Sequence, residues 1–324
     1  MVNQVYNDTE PGIVSKLSHM FGVLFPGQGA QYVGMGKTIY EREPAARALF
    51  DSADRILGGN FLQLLFEGPQ EALTATDVSQ PAIYTVSCAV WAVIRAKAPH
   101  ALPAATAGLS LGEYSALTAT GCLPFEEGLP LVRQRGLLMQ EAANASPGTM
   151  ASVLGLQDDK VAAICSTIDG AFVANYNCPG QIVISGECDA VRQASAACSQ
   201  AGARRVIPLN VSGAFHSPLM SEAQSRLLPL LNQTAWKPPA FPVLSNVTGL
   251  PYNNVSEIPE LLGRQIVESV RWEDDCRWLL LQGITTCIEA GPGTVLQGLM
   301  KKIERALDMT SVERSVDIDA LVCA

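Results

Sequence analysis

The sequence predicts an α/β fold with two domains, and three observations support this prediction. The chain has 324 residues, which is more than one compact core usually contains. Short apolar strands alternate with helices over most of its length, and this alternation is typical of a mostly parallel sheet. From residue 149 the order changes to strand, helix, strand, strand, helix, strand over about sixty residues. We therefore expect a large domain with a mostly parallel sheet and a smaller domain inserted into it.

The change of pattern sets the expected domain boundaries. The large domain is predicted over residues 21–147 and 212–310, and the small domain over residues 148–211. Residues 1–20 are predicted to form an N-terminal arm. The order of elements in the insertion is that of ferredoxin-like domains. These elements are predicted, in chain order, at Met150–Leu156, Asp158–Ile168, Phe172–Tyr176, Gln181–Ser185, Asp189–Ala201 and Arg204–Asn210.

The large domain is predicted to begin with an apolar strand at Phe21–Phe25, which leads into a glycine-rich turn. A long helix is predicted at Pro81–Lys97, and the polar residues Asp77 and Ser79 before it are candidate N-caps. After the insertion, the parallel sheet is expected to resume. Two further strands are predicted at Pro242–Asn246 and Thr286–Glu289.

Charge and hydropathy exclude two classes of partner. Acidic residues outnumber basic ones by 31 to 22, which gives a net charge of −9, and no basic run is interleaved with aromatic residues. A nucleic-acid partner is therefore not expected. The longest uncharged apolar run, Ala82–Ile94, is too short to span a bilayer, so we expect a soluble protein that does not act in a membrane.

The cysteines and the N-terminal composition indicate the cellular compartment in which the protein is expected to work. The nine cysteines form no Cys-x-x-Cys pair and their number is odd, which favours reduced thiols over a disulfide framework or a metal site. The first twenty residues have the composition of neither a signal peptide nor a transit peptide. We expect any targeting segment to be absent or already removed.

The segment Thr106–Tyr114 carries the strongest chemical signal. Ser110 lies between Gly108 and Gly112 at a predicted junction of a strand with a helix over Leu111–Ala119, which is typical of a nucleophile elbow in a hydrolase-like α/β domain. The turn would expose the hydroxyl, and the N-terminus of the helix would present free backbone N–H groups to a developing anion. The alternative is a serine that only caps a helix after a glycine turn.

A serine nucleophile needs a base, and the chain has only three histidines. His19 lies in the N-terminal arm, and His100 lies in a loop beside a proline. His216 lies in a loop after a predicted strand and before a helix that Pro218 helps to start, so it is the candidate general base. The alternative is that His216 is a polar residue of a surface loop.

The turn Gly27-Gln28-Gly29 is a third candidate element. Glycines on both sides of Gln28 allow its backbone N–H to face a neighbouring group, and an oxyanion at the Ser110 turn would need such a donor. A phosphate-binding loop and a simple tight turn remain open, because Gly-x-Gly alone is a weak motif.

Seven motifs, in chain order, resemble those of the malonyl-CoA:acyl carrier protein transacylases of fatty-acid synthesis. The resemblance extends from about Phe21 to Ile303. Many bacterial members have histidine at the position of Leu109, and plastid members of the plant type are more similar there, which favours a photosynthetic eukaryote as the source. The motifs are Phe25–Gln31, Gly108–Tyr114, Arg133–Gly136 with Met139-Gln140, Asn175–Gln181, Gly213–His216, Arg264-Gln265 and Glu289–Gly293.

The resemblance implies an activity and its partners. The chain is expected to transfer the malonyl group from malonyl-CoA to the phosphopantetheine thiol of acyl carrier protein, by a ping-pong mechanism with a malonyl-serine intermediate on Ser110. His216 would be the base of this reaction. Malonyl-CoA would enter as a substrate, with no cofactor and no metal. We expect a monomer in a plastid stroma or a bacterial-type cytoplasm.

The resemblance also implies how the reacting groups are held. The backbone N–H groups of Gln28 and Leu111 would form the oxyanion hole. The backbone carbonyl of Gln265 would orient His216, since no Asp or Glu occupies a motif position that would complete a triad. A neutral acceptor fixes the imidazole tautomer, and such a dyad is sufficient for acyl transfer between thiols.

Substrate choice is expected to depend on three further residues. Arg135 would bind the malonyl carboxylate through two parallel hydrogen bonds, whereas Arg133 would face solvent on another side of the same helix. Phe215 would fill the volume that an α-methyl branch needs, as in malonyl-selective polyketide acyltransferases. Asn177 would line the site, although asparagine before Pro-Gly is also common in ordinary turns.

Two questions remain open at the level of sequence. Acyl carrier protein is acidic, so a chain of net charge −9 needs a local basic rim to bind it. The alternative functions are an acyltransferase of a polyketide synthase, a serine esterase and a catalytically silent module that binds a carrier protein. The candidates for the rim are Arg204, Arg205, Lys237, Arg264, Lys301, Lys302 and Arg305.

Overall fold

Two four-stranded β-sheets and one two-stranded sheet occur in the computed structural model, which describes Leu17 and residues 20–323. One four-stranded sheet is parallel and packs against helices, so the predicted α/β class with a mostly parallel sheet is confirmed. The predicted N-terminal arm, residues 1–20, lies outside the described residues except for Leu17 and Met20. His19 of that arm is likewise not described.

The elements are numbered in chain order. The strands are β1 (Phe21–Phe25), β2 (Ala105–Gly108), β3 (Gly148–Leu154), β4 (Ala171–Cys178), β5 (Gln181–Glu187), β6 (Arg205–Pro208), β7 (Leu244–Ser245), β8 (Leu250–Pro251), β9 (Thr286–Ala290) and β10 (Asp308–Val312). The helices are α1 (Lys37–Arg42), α2 (Pro44–Leu57), α3 (Phe61–Glu67), α4 (Gln70–Thr74), α5 (Thr76–Lys97), α6 (Gly112–Ala119), α7 (Phe125–Ala145), α8 (Asp158–Ser166), α9 (Cys188–Gln200), α10 (Ser221–Gln233), α11 (Ile258–Gln265), α12 (Trp272–Leu281), α13 (Val295–Ile303) and α14 (Ser315–Cys323). Short 3₁₀ turns cover Pro218–Met220 and Val255–Glu257.

The parallel sheet has the strand order β10-β9-β1-β2. Every residue of β1 and of the end strand β2 is buried, as expected for a parallel sheet that is covered on both faces. Phe25 pairs with Gly108 at the last register position, so the turns that follow β1 and β2 meet at one edge of the sheet. In open parallel sheets, this carboxyl edge is where ligands bind.

The second four-stranded sheet is antiparallel, with the strand order β4-β5-β3-β6. Its elements occur in the order predicted for a ferredoxin-like insertion. Their ends agree with the prediction to within two residues, and β3, for example, covers Gly148–Leu154 where Met150–Leu156 was predicted. The apolar sides of α8 and α9 pack on this sheet and form a separate core around Val161, Ile184 and Ala194.

Backbone contacts join β4 to the segment before α12. The Tyr176 N–H donates to the Val270 carbonyl at 2.9 Å, and the Val270 N–H donates to the Ala174 carbonyl at 2.8 Å. Lys302, at the end of α13, donates from Nζ to Gln181 Oε1 at 2.5 Å. These contacts hold the β4–β5 hairpin against the carboxyl edge of the parallel sheet.

Helix α5 corrects one prediction. It begins at Thr76 and not at Pro81, so Asp77 and Ser79 lie inside the helix, and neither caps it. A proline in the second turn removes one helical hydrogen bond. The residues around it are buried, and this packing outweighs the local preference for a helix start at proline.

Two further observations concern the expected properties of the chain. No helix of the described part is long and apolar enough to cross a membrane. All nine cysteines are free thiols, and Cys188 and Cys323 are the two that are exposed.

Candidate active site

Ser110 lies at the sharp turn between β2 and α6. Its φ is +51°, a left-handed conformation that is strained for a residue with a side chain. Gly108 and Gly112 permit this turn, because a Cβ on Gly108 would lie 1.9 Å from the Gly112 carbonyl carbon. A Cβ on Gly112 would lie 2.1 Å from the Phe25 carbonyl oxygen. The glycines that flank the serine are therefore required by close backbone contacts on both sides.

His216 lies directly beside the serine. Its Nε2 is 2.9 Å from Ser110 Oγ, and its Nδ1 is 2.7 Å from the backbone carbonyl of Gln265. Because the carbonyl accepts only, Nδ1 carries the proton and the Nε2 lone pair faces the hydroxyl. His216 also has a positive φ of +56°. Among the described residues other than glycine, Ser110 and His216 are the two with a positive φ.

The surroundings of His216 keep the imidazole neutral. Burial and the positive charge of Arg135 lower the pKa of His216 to about 4, against a smaller opposing effect of the hydrogen bond to Gln265. The side chain is 6% exposed. A neutral, buried imidazole with this tautomer is able to accept the proton of Ser110.

Arg135 extends from α7 to the same hydroxyl. It is 1% exposed, and its Nη2 lies 2.9 Å from Ser110 Oγ and 3.0 Å from Gln265 Oε1. Its Nη1 donates to Gln80 Oε1 at 2.6 Å. Burial lowers the pKa of Arg135. Tyr114 and Glu113 oppose this effect electrostatically, and among the described residues the Arg135 Nε has no hydrogen-bond partner.

Arg133 does not share this site. It is exposed on another side of α7, where it lines a separate surface cavity with Asp77 and Phe61. The difference follows from helical geometry, because residues two apart on a helix face different directions.

The turn after β1 packs against the serine turn. A Cβ on Gly27 would lie 2.4 Å from the Leu109 carbonyl oxygen, so glycine is needed for this approach. Gln28 and Leu111 both line the cleft beside Ser110. Over the part of the chain that is described, the backbone N–H groups of these two residues donate no hydrogen bond. Two free donors that line the same cleft as a serine hydroxyl are candidates for an oxyanion hole.

A cleft of about 250 Å³ opens above Ser110. Phe215 is 5% exposed and borders this cleft beside His216. Asn177 is 8% exposed, and its buried Oδ1 has no partner among the described residues. The cleft thus brings together seven residues predicted from the sequence, with Gln265 behind them: Gln28, Ser110, Leu111, Arg135, Asn177, Phe215 and His216.

In the described part of the chain, only some residues of the predicted basic rim are exposed and without a nearby carboxylate, as binding of an acidic partner would require. Arg264 donates to the Glu268 carboxylate at 2.7 Å and is therefore paired within its own surroundings. Lys302 is exposed and contacts Gln181, which borders the cleft. The remaining candidates of the rim are all exposed: Arg204, Arg205, Lys237, Lys301 and Arg305.

Sequence reasoning missed a buried polar network behind the serine. Asn246 accepts the Ser110 N–H on Oδ1 at 2.6 Å and donates from Nδ2 to Asp275 Oδ2 at 2.8 Å. Glu113 accepts hydrogen bonds from the Asn246 N–H, from Gln265 Nε2 and from the Tyr252 hydroxyl. Asn246 ends a predicted strand at the same sheet edge as Ser110, and this position was a usable signal. No sequence pattern pointed to Asp275 or Tyr252.

Comparison with known proteins gives the class first. Residues 23–316 match the family described as the acyl transferase domain, so the protein is an acyltransferase. The chain is 44% identical over 303 residues to a malonyl CoA-acyl carrier protein transacylase of Bacillus subtilis strain 168. The match covers 92% of this chain and 95% of that protein. The chain belongs to the malonyl CoA-acyl carrier protein transacylases within the acyl transferase family.

Solved structures agree with this assignment. An acyl carrier protein S-malonyltransferase from Vibrio cholerae has a TM-score of 0.90 and 37% identity, and the match covers 94% of this chain and 100% of that chain. A malonyl-transacylase in complex with a type II polyketide synthase acyl carrier protein has a TM-score of 0.90 and 35% identity, over 94% of this chain and 99% of that chain. The expected family is confirmed.

Proposed function

We propose that this acyltransferase transfers the malonyl group of malonyl-CoA to the phosphopantetheine thiol of acyl carrier protein through a malonyl-Ser110 intermediate, and so supplies fatty-acid elongation. One observation carries the acyl specificity: Arg135 is buried, its hydrogen bonds within the described residues go to uncharged groups, and it lies 2.9 Å from the Ser110 hydroxyl. A buried cation is costly unless a partner arrives. An acyl group that ends in a carboxylate supplies that partner.

In the first half-reaction, Ser110 Oγ attacks the thioester carbonyl of malonyl-CoA. His216 Nε2, at 2.9 Å, accepts the hydroxyl proton as the new C–O bond forms. The backbone N–H groups of Gln28 and Leu111 stabilise the oxyanion of the tetrahedral intermediate, and such a donor contributes roughly 3 kcal/mol. The C–S bond then breaks, and the CoA sulfur takes the proton from the imidazolium.

The second half-reaction reverses these steps with another thiol. His216 accepts the proton of the phosphopantetheine thiol, the sulfur attacks the malonyl-serine carbonyl, and Ser110 leaves with the proton from His216. Gln265 keeps the imidazole in one tautomer throughout, since its carbonyl accepts from Nδ1 at 2.7 Å. This cycle uses malonyl-CoA as a substrate, and none of its steps requires a cofactor.

Arg135 would bind the malonyl carboxylate in both half-reactions. Its guanidinium is held by hydrogen bonds from Nη1 to Gln80 and from Nη2 to Gln265, and the malonyl carboxylate would accept from the Nη groups on the side of Ser110. Phe215 would limit the volume at the α-carbon, and Asn177 would supply a polar contact from the β4–β5 hairpin. These roles are supported by the position of each residue on the cleft.

The partner and the compartment are also part of the proposal. We infer that acyl carrier protein approaches the mouth of the cleft near Lys302, where a basic residue is exposed. We propose a monomer that works in a plastid stroma or a bacterial-type cytoplasm, and the similarity to relatives from Bacillus subtilis and Vibrio cholerae favours the second.

One alternative has a specific observation in its favour. A similar malonyl-transacylase was solved with the acyl carrier protein of a type II polyketide synthase, so a polyketide carrier is a second candidate acceptor. A serine esterase would use the same elbow but would have no need for the buried Arg135.

The test is transfer from malonyl-CoA to three acceptors: holo acyl carrier protein of fatty-acid synthesis, holo acyl carrier protein of a type II polyketide synthase, and water. The proposal expects parallel lines in double-reciprocal plots with the first carrier, which indicate a ping-pong cycle, and slow hydrolysis. The apo carrier, which lacks the thiol, is the control. Malonate release that is equally fast without a carrier would identify an esterase, and intersecting lines would exclude the covalent cycle.

A further inference from the structure

We propose that Glu113 is a positioning residue, which fixes Ser110 and His216 relative to each other through Asn246 and Gln265. This inference rests on the proposed roles of Ser110 and His216 and adds a residue to them. The Glu113 side chain touches neither the serine hydroxyl nor the imidazole. It is fully buried in the first turn of α6, three residues after the serine.

The first connection leads to the serine. Glu113 Oε2 accepts the backbone N–H of Asn246 at 3.1 Å. The Asn246 side chain in turn accepts the Ser110 N–H at 2.6 Å and donates to the Gly108 carbonyl at 2.8 Å. Asn246 thus holds the backbone on both sides of the turn. Ser110 has a φ of +51°, and such a conformation persists only where its surroundings determine it.

The second connection leads to the base. The same Oε2 accepts Gln265 Nε2 at 2.6 Å, and this amide group also donates to the Ser110 carbonyl at 3.0 Å. Gln265 is the residue whose backbone carbonyl accepts His216 Nδ1–H. One carboxylate oxygen therefore connects the residue that orients the base to the residue that supports the nucleophile turn.

The other carboxylate oxygen allows a sharp experiment. Oε1 accepts the Tyr252 hydroxyl, which is able to act either as donor or as acceptor. A neutral amide at this position, with its oxygen at the site of Oε2, would keep both connections while the Tyr252 hydroxyl turns to accept. Both hydrogen bonds to Oε2 come from neutral N–H donors, which an amide oxygen also accepts, so the arrangement depends on the position of this oxygen.

The experiment compares two conservative substitutions. Glu113→Gln removes the charge and keeps the reach of the side chain, whereas Glu113→Asp keeps the charge and withdraws the carboxylate by one methylene. A displacement of about 1 Å near reacting groups is able to lower a rate by about 100-fold. We expect Glu113→Asp to lower kcat for malonyl transfer by about 10- to 100-fold with a much smaller change in KM, and Glu113→Gln to retain most of the wild-type kcat.

A second readout does not depend on malonyl chemistry. Inactivation by phenylmethylsulfonyl fluoride, followed by intact mass, reports how readily Ser110 and His216 react together. The rate should fall in Glu113→Asp in parallel with kcat, and thermal unfolding should show that both variants are folded. The reverse order, with Glu113→Asp active and Glu113→Gln slow, would overturn the proposal, and so would wild-type rates in both variants. A wild type that transfers no malonyl group but reacts with the sulfonyl fluoride would contradict only the proposed function.

Discussion

Replacement of Arg135 with alanine tests the recognition of the acyl carboxylate. Arg135 is 1% exposed and its hydrogen bonds within the described residues go to uncharged groups, so a bound malonyl group would pair with it away from water. Loss of one partner of such a pair costs about 2 to 5 kcal/mol. This corresponds to a loss of roughly 30-fold to several thousand-fold in kcat/KM for malonyl transfer. Acetyl transfer should be spared or increased, because an acetyl group has no free carboxylate.

The assay measures kcat/KM with malonyl-CoA and with acetyl-CoA, using the same holo carrier. Arg133→Ala is the matched control, since Arg133 is on the same helix but exposed, and it should change neither rate by much. Arg135→Lys keeps the charge but loses the planar pair of donors, so an intermediate loss is expected. Equal malonyl rates in Arg135→Ala and wild type would refute the assignment. An equal loss for both substrates would indicate damage at Ser110 and not lost recognition.

Two further predictions concern the acyl pocket and the base. One methyl group in a tight pocket changes the free energy that separates two substrates by about 1 to 3 kcal/mol. Wild type should therefore prefer malonyl-CoA over methylmalonyl-CoA by about tenfold or more in kcat/KM. Phe215→Ser should bring the ratio of these two kcat/KM values closer to one. An unchanged ratio would make Phe215 a packing residue only. Because the pKa of His216 is lowered to about 4, the base stays unprotonated as pH falls, and single-turnover formation of malonyl-serine should change by less than about threefold between pH 8 and pH 5. A base with an ordinary pKa would lose about 30-fold over this range.

The residues proposed as catalytic were predictable because their motifs are local. Gly108 and Gly112 mark the serine turn through backbone contacts that only glycine permits, and this requirement is visible in the sequence. His216 was found by elimination, since the chain offers few bases. The strand at Phe21–Phe25 was predicted with its correct ends, because all five residues are apolar and a glycine-rich turn follows.

Apart from the position of Asn246 at the end of a predicted strand, the supporting network was not predictable, because its contacts join distant segments. Asn246 lies 136 residues after the serine that it supports, and Glu113 lies 152 residues before the Gln265 side chain that it fixes. No local pattern reports such pairs without knowledge of the sheet order. The start of α5 at Thr76 was missed for a related reason, since packing against the rest of the core overrides the local signal of Pro81.

The most direct test of the central claim is intact-mass measurement after the protein is mixed with malonyl-CoA and no carrier. Wild type should gain the mass of one malonyl group, and peptide mapping should place this group on Ser110. The Ser110→Ala protein should gain no mass. Addition of holo acyl carrier protein should then return the enzyme to its original mass and give malonyl carrier. An unchanged wild-type mass, under conditions where transfer to the carrier proceeds, would contradict the covalent mechanism.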